Sequence, residues 1–136
     1  VQVPHGTARP PFTHFVVYTM TSFAEQTTPR GLRILDEVAS VSAIQYTDKD
    51  MDAGELGGAM SWSAPVADSR VALYRIYMSS SVSGASRVLL FDEVDPSLTS
   101  SVLPENTRVR TYMHLAVYTA SSLVEQTTPV SVAFRD

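Results

Sequence analysis

The chain contains two copies of one pattern, placed 100 residues apart. Residues 13–29 read THFVVYTMTSFAEQTTP, and residues 113–129 read MHLAVYTASSLVEQTTP. Most differences between the copies exchange one apolar residue for another. A period of this length is too long for a solenoid repeat or a propeller blade, and it matches a single β-sandwich domain of roughly 100 residues. We therefore expect residues 1–36 to be the C-terminal strands of an incomplete repeat and residues 37–136 to be one complete repeat.

The complete repeat is predicted to be all-β. Short runs of alternating apolar residues are separated by Gly, Pro, Asp and Ser clusters, and no helical period competes with them. The predicted strands are Val38–Tyr46, Gly58–Ser63, Val71–Met78, Arg87–Phe91, Leu98–Leu103, Val109–Thr119 and a last strand after Ser122 that Pro129 interrupts. Such a series closes a two-sheet sandwich, with Trp62 between the sheets.

The order of residues along these strands resembles the fibronectin type III family. The matching positions are Trp62 with Pro65, Tyr74 with Ile76, Leu103-Pro104 with Thr107, and Leu115 with Val117. The resemblance covers residues 37–136, and in residues 1–36 it covers only the last strands. It implies an immunoglobulin-like β-sandwich whose core contains Trp62, Tyr74, Ile76, Leu103, Leu115 and Val117. It also implies a binding or spacer module of an extracellular or cell-surface protein, with no catalytic residues.

Charge and composition argue against several other functions. The net charge is -4 and Lys49 is the only lysine, whereas binding to nucleic acid needs clustered basic residues. No apolar run approaches the roughly 18 residues that a membrane span needs. Cysteine is absent, so thiol catalysis and disulfides are excluded. The chain has neither a Gly-x-Ser-x-Gly elbow nor a phosphate-binding glycine loop before a helix. We therefore expect a protein that is not an enzyme and has no cofactor, with calcium as the one candidate ion.

The calcium candidate is an acidic segment between the first two predicted strands. Asp48, Asp50, Asp52 and Glu55 alternate along it, and their carboxylates could converge on one hard cation. The segment departs from an EF-hand loop because Ala53 precedes the glycine and Glu55 comes too early. The other interpretation is a solvated turn in which Asp side chains bond to nearby backbone amides.

Two further groups of residues are candidate surface sites. If Leu115 and Val117 face the core, the outward positions of the same strand could contact a protein or sugar; these are His14, Tyr18, His114 and Tyr118. The other interpretation is cross-strand packing on a solvated sheet face. Threonines next to proline are typical of O-glycan acceptors; these are Thr27, Thr28, Thr127 and Thr128.

The incomplete first repeat needs a partner, because a two-stranded hairpin alone is marginal in water. We expect ordered packing there, either within the chain or on an exposed sheet edge of another chain, because Phe15, Val17, Phe23, Leu32 and Ile34 are too apolar for water.

The predicted function is that of a structural or adhesive module of an extracellular tandem-repeat protein. Such a module could be a filament subunit that assembles by strand donation or domain stacking. Its partners would be neighbouring repeats or copies of itself. The alternative is a ligand-binding module that recognises carbohydrate or protein. An accessory domain of a large enzyme is a third interpretation.

Overall fold

The structure is a computed structural model that describes residues 2–136, and this part of the chain forms nine strands and no helix. It divides into a first compact unit that ends at Val38 and a second unit, Ala39–Asp136. The division lies two residues after the boundary that the repeat predicts. The strands are β1 His14–Val17, β2 Arg30–Arg33, β3 Ser42–Tyr46, β4 Glu55–Ser63, β5 Leu73–Ser79, β6 Val88–Val94, β7 Ser100–Arg108, β8 His114–Ala120 and β9 Val130–Ala133.

The second unit contains two antiparallel sheets. One sheet has the strand order β3-β4-β7, and the other has the order β6-β5-β8-β9. Strand β5 pairs with β6 on one side and with β8 on the other, so it is central in the larger sheet. The predicted all-β sandwich is confirmed for this unit.

The core is built from the inner faces of the two sheets. Along β5, Tyr74, Ile76 and Met78 are buried, and the residues between them are only partly buried, as the two-residue period of a strand requires. The ring of Trp62, from the opposite sheet, contacts the ring of Tyr74 edge to face at 5.5 Å between centroids. Burial of each large side chain stabilises the fold by about 1.5–3 kcal/mol. All the residues expected in the core are buried: Trp62, Tyr74, Ile76, Leu103, Leu115 and Val117.

The boundary between β7 and β8 differs from the prediction. Strand β7 continues to Arg108 through the segment predicted to turn, and β8 begins at His114. Residues 104–106 lie opposite Gly57, where the β4–β7 register shifts, so the missing N–H of Pro104 is tolerated there. A β-carbon on Gly57 would lie 3.2 Å from the backbone of Glu105, so a larger residue would have to push the two strands slightly apart at this crossing.

The first unit consists mainly of the β1–β2 hairpin, which repeats the geometry of the β8–β9 hairpin. His14 is opposite Arg33 in β1–β2, and His114 is opposite Ala133 in β8–β9. Each hairpin also has an isolated bridge to the repeated glutamate, formed by Met20 with Glu25 and by Ala120 with Glu125. The repeat in sequence is therefore a repeat in backbone structure.

The equivalence extends to the segment before each hairpin. The Thr7 hydroxyl donates a hydrogen bond to the Pro4 carbonyl at 2.7 Å, and Thr107 donates to Pro104 at 2.6 Å. The residue before each threonine has a positive φ, which is 73° at Gly6 and 62° at Asn106. Glycine and asparagine are the residues that adopt this left-handed conformation most readily.

The two hairpins differ in what covers them. Leu115 and Val117 are 0% and 1% exposed, whereas the equivalent Phe15 and Val17 are 46% and 69% exposed. Phe23 and Leu32 are also exposed, and Ile34 is partly buried. Within the described part of the first unit, no other element therefore covers these apolar side chains, although ordered packing was expected there.

Substitutions at one repeat position test this difference in burial. Leu115→Ala is expected to lower the free energy of unfolding of the second unit by about 2–5 kcal/mol, because it leaves a cavity between the sheets. Phe15→Ala removes an even larger side chain at the equivalent position, and we expect it to change that free energy by less than about 0.5 kcal/mol. Urea denaturation followed by Trp62 fluorescence measures both changes. Equal losses in the two variants would contradict this assignment of burial.

Candidate functional site: the tyrosine-bearing sheet face

The outer face of the larger sheet carries a compact aromatic and charged cluster. Tyr118 follows the inward-facing Val117 in β8 and therefore lies on the opposite face. Its ring contacts that of Tyr77, from β5, edge to face at 5.2 Å between centroids. The guanidinium carbon of Arg87, the residue before β6, lies 4.3 Å from the Tyr77 ring centre and 4.2 Å from the Tyr118 ring centre. The arginine is thus held by cation–π contacts to two rings.

Glu125 provides the negative charge of this cluster. Arg87 Nη2 lies 2.8 Å from Glu125 Oε1, and the Tyr77 hydroxyl donates to Glu125 Oε2 at 2.8 Å. Arg75 Nη1 is 3.6 Å from the same carboxylate, while Arg75 Nε donates to Asp92 at 2.6 Å. We refer to Tyr77, Arg87, Tyr118 and Glu125 as the arginine clamp. It ties β5, the start of β6 and the β8–β9 loop to one another.

Tyr77 and Arg87 keep one ionisation state over the ordinary pH range. Burial, together with the hydrogen bond to Glu125, raises the pKa of Tyr77 to about 12. Burial lowers the pKa of Arg87, but the contacts with Tyr118 and Glu125 outweigh it, and the net shift is upward. A neutral tyrosine and a charged arginine therefore persist at neutral pH. This arrangement suits a permanent structural tie better than proton transfer.

A loop crosses Tyr118 and covers it. Gly84 has φ of 81° and lies so close to Tyr118 that a β-carbon there would be 1.8 Å from the tyrosine oxygen. Ser80 N donates to Ala85 O at 3.0 Å and closes the loop. Tyr118 is only 2% exposed as a result.

The predicted partner face is therefore not accessible where the repeat is complete. Tyr118 does lie on the outer face, but the loop and Arg87 cover it, and His114 is partly buried. The expectation of an accessible Tyr118 is wrong, because the pattern of one strand does not reveal a loop that folds over it. In the first unit, His14 and Tyr18 are exposed.

A shallow open groove lies beside the clamp. Its walls come from the 83–87 segment and from the β8–β9 loop. The lining residues outside the clamp are Ser83, Gly84, Ala85, Val124, Gln126 and Thr127. Hydroxyl and amide groups thus border a buried aromatic ring, which is a mixture that could contact a polar ligand at the surface.

The acidic segment uses its carboxylates to hold backbone amides. Asp48 Oδ1 accepts hydrogen bonds from Asp50 N at 3.1 Å, from Gly57 N at 2.9 Å and from the Tyr46 hydroxyl at 3.2 Å. Asp50 accepts from Asp52 N at 3.1 Å and from Asn106 N at 2.7 Å, so it also ties the β3–β4 loop to β7. Burial raises the pKa of Asp48, but the amide donors outweigh it and bring the pKa below the usual 3.8.

These contacts direct the carboxylates away from a common centre. Within residues 2–136, no group of three or more His, Cys, Asp or Glu side chains is placed to hold a metal ion. Glu55 pairs with Arg108, with 3.8 Å between Oε1 and Nε. The structure does not bring together the four residues predicted for calcium, Asp48, Asp50, Asp52 and Glu55. The geometry instead fits the second interpretation, a turn held by aspartate side chains.

The repeated Glu-Gln-Thr-Thr-Pro segment has a structural role in both hairpins. Thr119 Oγ1 donates to Gln126 Oε1 at 2.9 Å, and Thr19 donates to Gln26 at 2.7 Å. These bonds close the loop between the two strands. The predicted glycan acceptors lie in the bend that follows and are all exposed: Thr27, Thr28, Thr127 and Thr128. Their hydroxyls are accessible, and glycosylation stays a prediction.

Sequence reasoning missed the residues of the clamp other than Tyr118. Glu125 had a usable signal, because the same glutamate appears as Glu25 in the first copy. Arg87 and Gly84 lie outside the part of the repeat that is present twice, so no internal comparison points to them. Their partners come from distant parts of the chain and are set by sheet pairing.

Substitution of Gly84 tests the cover over Tyr118. Gly84→Ala must place a β-carbon against the Tyr118 hydroxyl and also strains a positive φ, so we expect a loss of about 2–5 kcal/mol in the free energy of unfolding. Gly54→Ala is the matched control, because Gly54 has φ of 91° but no atom lies within 4 Å of the place that its β-carbon would take. Its loss should be only about 1–2 kcal/mol. Equal losses measured by urea denaturation would show that Gly84 serves backbone conformation alone.

Asp48 provides a test that depends on pH. Because its folded pKa lies below 3.8, its stabilising contribution is present above that pH and is lost as the pH falls through the folded value. Asp48→Ala should lower stability at pH 7 by about 1–3 kcal/mol, since two backbone amides lose their acceptor. Asp48→Asn keeps an acceptor oxygen, so we expect a smaller loss and a smaller decline than wild type between pH 7 and pH 3. Urea denaturation at both pH values measures this, and identical behaviour of Asn and Ala variants would contradict it.

Comparisons of the chain with known proteins found no match to a protein-family model, to a curated protein or to a solved structure. A search of residues 2–136 for a helix capable of spanning a bilayer also found none.

Proposed function

We propose that the chain is a structural or adhesive part of an extracellular or cell-surface tandem-repeat protein, built of fibronectin type III-like sandwiches. The observation that carries this proposal is the duplicated hairpin. Two segments 100 residues apart share a sequence pattern, a strand register and the same loop hydrogen bonds. Duplication of a whole folding unit is the simplest origin of such a match.

The second unit has the properties that a repeated module needs. Its apolar core is closed by its own strands, from both sheets. A module of this kind folds without help from its neighbours, and repetition then sets the length of the protein. Repetition also multiplies weak surface contacts into a strong total attachment. Neighbouring repeats and other copies of the chain are the proposed partners, with filament formation as the proposed assembly.

The ionisation of Tyr77 and Arg87 agrees with a function that is not catalytic. Glu125 is engaged by Arg87 and by the Tyr77 hydroxyl. The ionisation of Tyr77 and Arg87 does not change near neutral pH, because the pKa of each lies far above it. We assign the cluster to stabilisation of the sheet face, and we assign no cofactor to it.

The alternative function is recognition of carbohydrate or protein through the groove beside the clamp. The observation that favours it is the polar lining supplied by Ser83, Gln126 and Thr127 next to the Tyr118 ring. Sugar hydroxyls pair readily with such groups. A groove this open would bind weakly and would need several repeats acting together.

Electron microscopy of the native material tests the structural proposal. We expect filaments or beaded strands whose repeat matches one sandwich, because tandem modules are joined end to end. A glycan array with the full chain serves as the opposing test, with Thr127→Trp as the control that fills the groove. Single dispersed particles, together with glycan binding that Thr127→Trp abolishes, would replace the structural proposal with the alternative.

A further inference from the structure

We propose that the β1–β2 hairpin can replace the β8–β9 hairpin in the sandwich of a second copy of this chain when that copy's own hairpin is displaced. This inference rests on the proposed function, because it specifies how repeats of such a protein exchange strands. The partner is a second copy whose β8–β9 hairpin no longer fills its place. The observations that carry it are the shape of the two hairpins, their apolar faces and their charges.

The two hairpins have the same backbone. Gln26 N donates to Thr19 O at 2.8 Å, and Gln126 N donates to Thr119 O at 2.9 Å. The loops use the same side-chain turn, in which the hydroxyl at position 21 or 121 accepts two backbone amides. A strand that pairs with β8 could therefore pair with β1 in the same register, since both strands present the same spacing of donors and acceptors.

The inner face of the donor hairpin matches the position that it would fill. Phe15 and Val17 stand where Leu115 and Val117 stand, and in the second unit those two positions are fully buried against the opposite sheet. Phe15 and Val17 are exposed in their own unit. Transfer into a second copy would remove this apolar surface from water.

Size differences within the hairpins are partly compensated across the strand pair. Val16 is opposite Gly31 in the first hairpin, whereas Ala116 is opposite Ser131 in the second. A larger residue in one strand thus faces a smaller one in the other. This exchange of volume keeps the paired positions close to the space that the second hairpin occupies.

Charge complementarity selects the partner. Glu25 stands at the position of Glu125, whose carboxylate is bound by Arg87, by Arg75 and by the Tyr77 hydroxyl. Tyr18 stands at the position of Tyr118, the second ring against Arg87. The donor hairpin therefore carries both groups that complete the arginine clamp of another copy.

The hairpin cannot fill this position in its own chain. Gln126 in the β8–β9 loop donates to Ser40 at 2.8 Å, so the loop end of the hairpin lies beside the start of the sandwich. Asp136, at the far end, accepts a bond from Gly54 N. If the β1–β2 hairpin replaced β8–β9 in its own chain, Asp36 would lie near Gly54, at the opposite end of the hairpin from Ser40. The four residue steps from Asp36 to Ser40 reach at most about 14 Å. The distance between the two ends is at least the length of β8, which has seven residues and spans about 23 Å.

The tethered β8–β9 hairpin has the advantage in the wild-type chain, because it competes from within the same molecule. Phe15 is also larger than the Leu115 that it would replace, which disfavours the exchange further. Donation therefore becomes visible when the resident hairpin is disabled.

Leu115→Asp in the full chain disables the resident hairpin, because it would bury an unpaired carboxylate in the core. We expect the variant to be unfolded when dilute and to regain its buried Trp62 fluorescence as dimers or longer assemblies form. The midpoint of the transition should shift with protein concentration, as mass action requires. Sedimentation velocity and Trp62 fluorescence, measured on the same samples, report assembly and folding together.

Phe15→Asp supplies the matched controls. Alone, it should leave a folded monomer, because the resident hairpin is intact. In the Leu115→Asp, Phe15→Asp double variant, neither hairpin can complete a sandwich, and we expect no folding and no ordered assembly at any concentration. The proposal is overturned if Leu115→Asp stays unfolded throughout, if it folds as a monomer, or if the double variant assembles equally well. Each of these results leaves the tandem-module proposal intact, since electron microscopy of the native material tests that independently.

Discussion

The pairing of β5 with β8 is the interaction on which the rest of the sandwich depends. The register runs without a shift from Leu73 opposite Ala120 to Ser79 opposite His114. This pair holds the centre of the larger sheet, places Leu115 and Val117 in the core, and sets the two tyrosine rings side by side on the outer face. The inner packing and the arginine clamp thus lie on opposite faces of the same strand pair.

The clamp shows how a charged group is kept on a largely buried sheet face. Arg87 is held between two rings, and its charge is balanced by Glu125, whose side chain is 13% exposed. Charges withdrawn from water are tolerated when they are paired and hydrogen-bonded. The β3–β4 loop follows the same rule, because the carboxylates of Asp48 and Asp50 are directed at backbone amides.

Much of the fold was predictable from the sequence, because the fold is set by local periodicity. Alternation along β5 and β8 identified Tyr74, Ile76, Leu115 and Val117 as inward-facing. The repeat predicts a boundary after residue 36, and the two compact units divide after Val38. The end of β7 was not predictable in this way, because Pro104 suggests a turn until the register shift opposite Gly57 is known. Strand pairing across the chain decides such boundaries, and it leaves little trace in the local pattern.

The candidate site was less predictable than the fold for the same reason. The outward position of Tyr118 followed from the strand period, but its burial depends on the loop at Gly84 and on Arg87. These residues come from another hairpin and are brought to Tyr118 by the pairing of β5 with β6 and β8. For the acidic segment, the sequence suggested a site that the structure does not form. Its alternating carboxylates suggested a common cation, whereas the folded loop directs Asp48 and Asp50 at different amides.

Gly6 and Asn106 stand at the same repeat position, and both have a positive φ. This position shows how the two copies have diverged. The side chain changed between the copies, yet the sign of φ did not, because the following threonine must still reach back to a proline carbonyl. A backbone angle can therefore be inherited more faithfully than the residue that adopts it. A more divergent copy of this unit should therefore still have glycine or asparagine at this position, even where its apolar residues no longer match.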